Sequence, residues 1–212
     1  MKRINILIFL IAVSITNVSG QSNDPAIPAT LRAFISKIHP HTLAGAAPVV
    51  TFEKVSDKIT RTSLSWTLSD TVKQDDWQVE IIPAFTPDFH WAPHLTPTDD
   101  HIIAQHVFRA PALIVASGDK QITIIPDLDM LNQNNLPECY MDLDATRNLL
   151  RLGLSKSNVK EHVSFVRAPG SVYHPGKVEF SFYIIMESRK SALQNPWREA
   201  LWRWPHRPDA GA

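Results

Sequence analysis

The sequence predicts a mainly β protein, an antiparallel β-sandwich carrying one or two short helices. Apolar and polar residues alternate with period two over most of the chain, as strands with one buried face require. Turn residues separate these segments at sandwich-like spacing. Sixteen prolines in 212 residues fall mostly between the alternating segments, which suits a sandwich with substantial loops better than a helical bundle.

Taken in chain order, Leu31, Phe34, Ile35 and Ile38 follow the i, i+3, i+4, i+7 pattern after Thr30 and predict a short amphipathic helix. Val49 to Val55 is a strand candidate. In the next, Thr62, Leu64, Trp66 and Leu68 oppose Ser63, Ser65 and Thr67, giving one apolar and one polar face. Trp77, Val79 and Ile81 oppose Gln78 and Glu80 in the same way. Ala112 to Ala116 and Gln121 to Ile125 are joined by Ser117-Gly118-Asp119-Lys120, where Gly118 can take the positive φ of a tight hairpin turn. Cys139 to Asp144, Leu149 to Leu154 and His162 to Arg167 follow. Val178, Phe180, Phe182, Ile184 and Met186 then share one face of a long strand expected at the centre of its sheet. That makes roughly nine strands.

A second short helix is expected after Asn195-Pro196, with Asn as cap and Pro in the first turn, and Pro205 cuts it off. The ending from Leu201 to Ala212 loses all apolar periodicity, and three tryptophans within eight residues, Trp197, Trp202 and Trp204, have little to bury them. The reading drawn from this is a chain truncated or frame-shifted after about Leu201; a tail packed back on the sheet is the plainer alternative. The expected organisation is a signal peptide over 1–20, an N-terminal segment with a short helix over 21–45, a sandwich domain over 46–190, and a truncated helix with irregular tail over 191–212.

Lys2 and Arg3 precede an apolar run from Ile4 to Val13, and Val18 and Gly20 are small residues before an expected cut ahead of Gln21. This is the pattern of an export signal, so the expected location is secreted or periplasmic. The apolar run is about half of the roughly 20 residues a span needs, so no membrane span is expected after cleavage. Removing 1–20 leaves 19 basic against 21 acidic residues, which gives no long-range attraction for a nucleic acid. The single cysteine, Cys139, excludes an intrachain disulfide, and alternation beside Met141 and Leu143 reads it as a buried inert thiol.

Four of nine histidines, His90, His94, His101 and His106, form the densest chemical cluster. His90 and His94 have helical ligand spacing, but Pro93 between them disfavours helix, and no His-Glu-Xaa-Xaa-His motif is present. A metal site drawing on His94, His101 and Asp99 or Asp100 carries no specific spacing. Phe85, Phe89 and Trp91 surround Asp88, His90 and His94 in a Pro-rich loop, and an aromatic platform beside short polar groups suits a sugar. The plainer reading packs this loop across a sheet, with the histidines serving buried carbonyls. His90, Trp91, His94 and His101 are the candidate ligand-binding residues; no metal ligand, cofactor or catalytic residue is assigned.

The triplets Asp127-Leu128-Asp129 and Asp142-Leu143-Asp144 could supply oxygen ligands to calcium, although carboxylates capping turns are commoner. Nucleophile elbows, phosphate loops and dinucleotide fingerprints are absent from the sequence.

Three stretches, Trp77 to Phe85, His90 to Val115 and Tyr140 to Ala145, together resemble the N-terminal β-sandwich domain of secreted bacterial polysaccharide-degrading enzymes, in which a helical toroid usually follows. The resemblance covers roughly residues 40 to 200, and the Asn195-Pro196-Trp197 helix sits where the second domain would begin. It implies a sandwich that supports the toroid and lends a loop to its cleft, with the main catalytic acids on the helices. The expected function is therefore an accessory module of a secreted carbohydrate-active protein, not catalytic alone. Its expected partners are a glycan and a C-terminal helical domain missing from this chain. The alternatives are a metal-dependent hydrolase built on the block from His90 to His106, and a non-catalytic envelope or interaction domain.

Overall fold

The computed structural model describes residues 24–73, 77–92, 103–104, 112–127, 139–154 and 172–189. Their strands are β1 (Ile35–Pro40), β2 (Val49–Lys54), β3 (Ile59–Leu68), β4 (Val72–Lys73), β5 (Trp77–Pro83), β6 (Phe89–Trp91), β7 (Ile103–Ala104), β8 (Leu113–Ser117), β9 (Lys120–Pro126), β10 (Cys139–Asp144), β11 (Leu149–Leu154), β12 (Val172–Tyr173) and β13 (Gly176–Ser188). All the pairings are antiparallel. A smaller sheet runs β1-β5-β11-β10-β7, a larger one β2-β3-β13-β9-β8-β6, and β12 pairs with β4. The protein is thus a mainly β sandwich.

Alternation places the core. From the larger sheet come Leu64, Trp66, Leu68, Leu113, Val115, Ile122, Ile124, Phe180, Phe182 and Ile184; from the smaller come Ile38, Val79, Ile81, Met141, Leu143, Leu150 and Leu152. All are buried in one cluster, and each fully buried side chain of this size stabilises by about 1.5–3 kcal/mol. β13 is central, between β3 and β9, as its length and apolar face predict. The β8–β9 hairpin closes on the Ser117↔Lys120 pair, with Gly118 at φ 57° in the first central position. That is the backbone a II′ turn demands.

The first expected helix is corrected. Only two successive turns form: Leu31 N–H donates to Pro28 O at 2.9 Å and Ile35 N–H to Leu31 O at 2.8 Å, after which the chain extends as β1. A bulge between Ile35 and Lys37 resets the alternation, because Ile35 faces Pro83 while Lys37 faces the adjacent Ile82. Ile35 and Ile38 therefore share the buried face at a spacing of three, which imitates a helix in the sequence. The other expected helix, after Asn195, lies outside the described residues, as do the tail to Ala212 and the candidate strand His162 to Arg167.

A second apolar cluster occupies the outer face of the larger sheet. Ile59, Ala112, Ile114, Ile125 and Ile185 are buried there, with Phe89, Trp91 and Tyr183 packed against them. Among the described residues no helix is long and apolar enough to cross a membrane.

Candidate functional site

Residues Phe89 to Trp91 were expected in a loop, and they instead form the short edge strand β6. Phe89 faces Ala116, His90 faces Val115 and Trp91 faces Ile114. Strand geometry sends alternate side chains to opposite faces. Phe89 and Trp91 therefore join the apolar cluster on the outer face, while His90 takes the register of core-facing Val115. His90 is half-buried, and its Nε2 has no hydrogen-bond partner. His94 and His101 lie outside the described residues, so the structure brings together only His90 and Trp91 of the four candidates, on opposite sides of one strand.

Phe89 is held from above. The Arg189 guanidinium lies 5.7 Å from its ring centroid, and Arg189 Nη1 is 2.6 Å from Asp88 Oδ1. Asp88 Oδ2 also accepts from Gly118 N–H at 3.3 Å, tying the β8–β9 turn to the start of β6. Phe89 is thereby engaged by the protein itself.

The second Asp-Leu-Asp triplet lies within β10, and period two sends Asp142 and Asp144 to the same outer face of the smaller sheet. Register aligns Asp142 with Arg151, Arg151 with Glu80, and Glu80 with His39, a charged row across four strands. Arg151 Nη1 is 2.8 Å from Asp142 Oδ2, its Nη2 3.5 Å from Asp144 Oδ2 and its Nε 3.9 Å from Glu80 Oε1. Asp142 also accepts from Leu143 N–H at 2.8 Å. Asp144 accepts from the Arg147 backbone N–H at 2.9 Å and from its guanidinium, which fixes the β10–β11 turn. The turn-capping role is the one observed for Asp144, with an arginine bridge added.

The exposed end of this row holds residues that no sequence motif marked. His39 Nδ1 is hydrogen-bonded to Asp24 Oδ1, Lys37 Nζ is 3.0 Å from Asp24 Oδ2, and His41 meets His39 edge to face at 5.5 Å between ring centroids. Burial pulls the His41 pKa down; Glu80 opposes this, whereas His39 and Arg151 reinforce it. For Asp24 burial pushes upward, but the hydrogen bonds and charges of His39 and Lys37 prevail and hold the carboxylate below its ordinary value. The signals were present in the sequence: His39-Pro40-His41 has the two-residue spacing of one strand face, and Arg151 interrupts an apolar run.

On the larger sheet Arg61 Nε donates to Asp127 Oδ2 at 2.9 Å, and Arg61 Nη2 to Ser181 Oγ at 2.9 Å. Ser181 Oγ in turn donates to Asp127 Oδ2 at 3.0 Å. Burial weakens the Arg61 charge, but Asp127, Tyr183 and Glu179 together keep the guanidinium more firmly protonated than usual.

Among the described residues no group of three or more His, Cys, Asp or Glu side chains is placed to hold a metal ion. No known family model matches the chain, and no curated protein matches it.

Proposed function

We propose that this chain is an accessory β-sandwich module of an exported carbohydrate-active protein, one that holds a glycan and does not itself cleave it. The observation that carries the reading is Trp91, a half-buried indole on the outer face of the edge strand β6, with Phe89 beside it. A flat aromatic face at a sheet margin can cover the C–H face of a sugar ring, and its rigidity makes the contact cheap in entropy. The carboxylates support the non-catalytic part. Asp127, Asp142 and Asp144 are buried and each is ion-paired with arginine, as structural counter-ions are.

His90 lies on the opposite face of β6, in register with Val115. The contributions of His94 and His101, and the docking of a helical domain after residue 190, complete the proposal on the sequence pattern alone. The metal-dependent alternative rests on His94 and His101 and gains no observation in its favour.

A glycan array followed by calorimetry tests the reading. Trp91→Ala should weaken binding of whichever oligosaccharide is retained by about tenfold, the loss of roughly 1.4 kcal/mol. Unchanged affinity in that variant refutes the role given to the indole.

A further inference from the structure

A surface cleft of about 590 Å³ lies beside β1, within the roughly 300–1,000 Å³ usual for small-molecule sites. Pro25 and Ile27 give it an apolar wall, Ser36 lines it beside them, and Asp24, Arg32 and Lys37 supply its charge.

The polar atoms of this cleft are not equally available. Both oxygens of Asp24 already have a partner, His39 at Oδ1 and Lys37 at Oδ2. The Ser36 hydroxyl lies 3.1 Å from Ile82 O and 3.2 Å from Pro83 O at the β1 bulge, so its proton is committed. Arg32 uses only Nε, which donates to Ile27 O at 3.0 Å. That bond anchors the guanidinium, while among the described residues its Nη1 and Nη2 have no partner. Lys37 keeps two of its three donors after serving Asp24.

The donors that remain to a ligand are therefore cationic, and they stand against an apolar wall. Asp24 and Ser36 offer a ligand hydroxyl only the lone pairs left beside these bonds. An anchored guanidinium with both terminal nitrogens unused matches the two oxygens of a carboxylate. We infer that this cleft binds a carboxylate-bearing sugar, with Arg32 gripping the carboxylate in a fork, Lys37 adding charge, and Pro25 and Ile27 covering the ring's C–H face. The inference rests on the glycan-binding reading above but places an acidic saccharide at a second position, distinct from Trp91.

The test compares a glucuronate-bearing oligosaccharide with the same oligosaccharide after reduction of its carboxyl to an alcohol. Binding to the purified full chain is measured by calorimetry. The acid form should bind about tenfold tighter or more, Arg32→Gln should erase that difference, and Arg32→Lys should restore only part of it, since lysine keeps the charge and loses the fork. Arg32 is exposed, so neither variant threatens folding. Equal binding of acid and reduced forms, or an Arg32→Gln variant with undiminished preference for the acid, overturns the inference.

Trp91→Ala separates the two sites. If both forms bind and only Trp91→Ala abolishes binding, the module reading stands and the cleft is excluded. If acid-selective binding survives Trp91→Ala and fails in Arg32→Gln, the cleft stands and β6 does not. Binding of neither form overturns both.

Discussion

Asp127 and Asp142 each open an Asp-Leu-Asp triplet, yet the two carboxylates are neutralised in different surroundings. Asp142 lies within a strand, so Asp144 follows it onto the same face and one arginine, Arg151, bridges both. Asp127 lies just past the end of β9 and shares Arg61 with Ser181, Glu179 and Glu53. Arg151 is 12% exposed against fully buried acids, whereas Arg61 is 28% exposed. Asp142 and Asp144 thus sit in a desolvated cluster around Arg151 on one sheet, and Asp127 in a more open hydrogen-bonded network on the other. Asp142 lies inside β10, whereas Asp127 lies one residue past the end of β9.

Removing each arginine should expose that difference. Arg151→Met leaves Asp142 and Asp144 buried without their shared counter-ion, and should cost about 3–5 kcal/mol in urea denaturation. A loss below about 1 kcal/mol would show that solvent reaches those carboxylates. Arg61→Met should cost less, about 2 kcal/mol, because Ser181 Oγ still donates to Asp127 and the site is more open to water. If the two variants lose equal stability, the contrast between the faces is wrong.

A smaller effect should appear with pH. His41, flanked by His39, Glu80 and Arg151, titrates below the ordinary imidazole value of about 6.5. The folded state then binds fewer protons than the unfolded chain. Stability from this group is complete above about pH 6.5 and declines as pH falls through the lowered folded value. His41→Gln should flatten the denaturation midpoint between about pH 7 and 5, while Arg61→Met should leave that slope unchanged. A slope retained in His41→Gln assigns the proton uptake elsewhere.

Much of the fold was legible in advance because it depends on local chemistry. Gly118 marked its hairpin because few other residues accept that φ, and the alternation from Val178 to Met186 identified the central strand. The β1 segment misled because a bulge converts strand spacing into helical spacing, and no residue in Ile35-Ser36-Lys37-Ile38 announces one. The candidate site was legible in part. The aromatics of β6 were picked out, but as a loop their side chains would have been free to converge with His90, whereas the ladder with β8 holds them apart.

By itself the sequence determined that the described chain would be antiparallel strands around an apolar core, since side-chain alternation and turn preferences act within a few residues. Only the tertiary structure decided which charges meet. Arg61 reaches Asp127 across 66 positions and Ser181 across 120, and the row from His39 to Asp142 exists only because four strands stop in one register. Register follows from packing two apolar faces together over the whole sandwich, so the polar partners on the outer faces are consequences of the core beneath them.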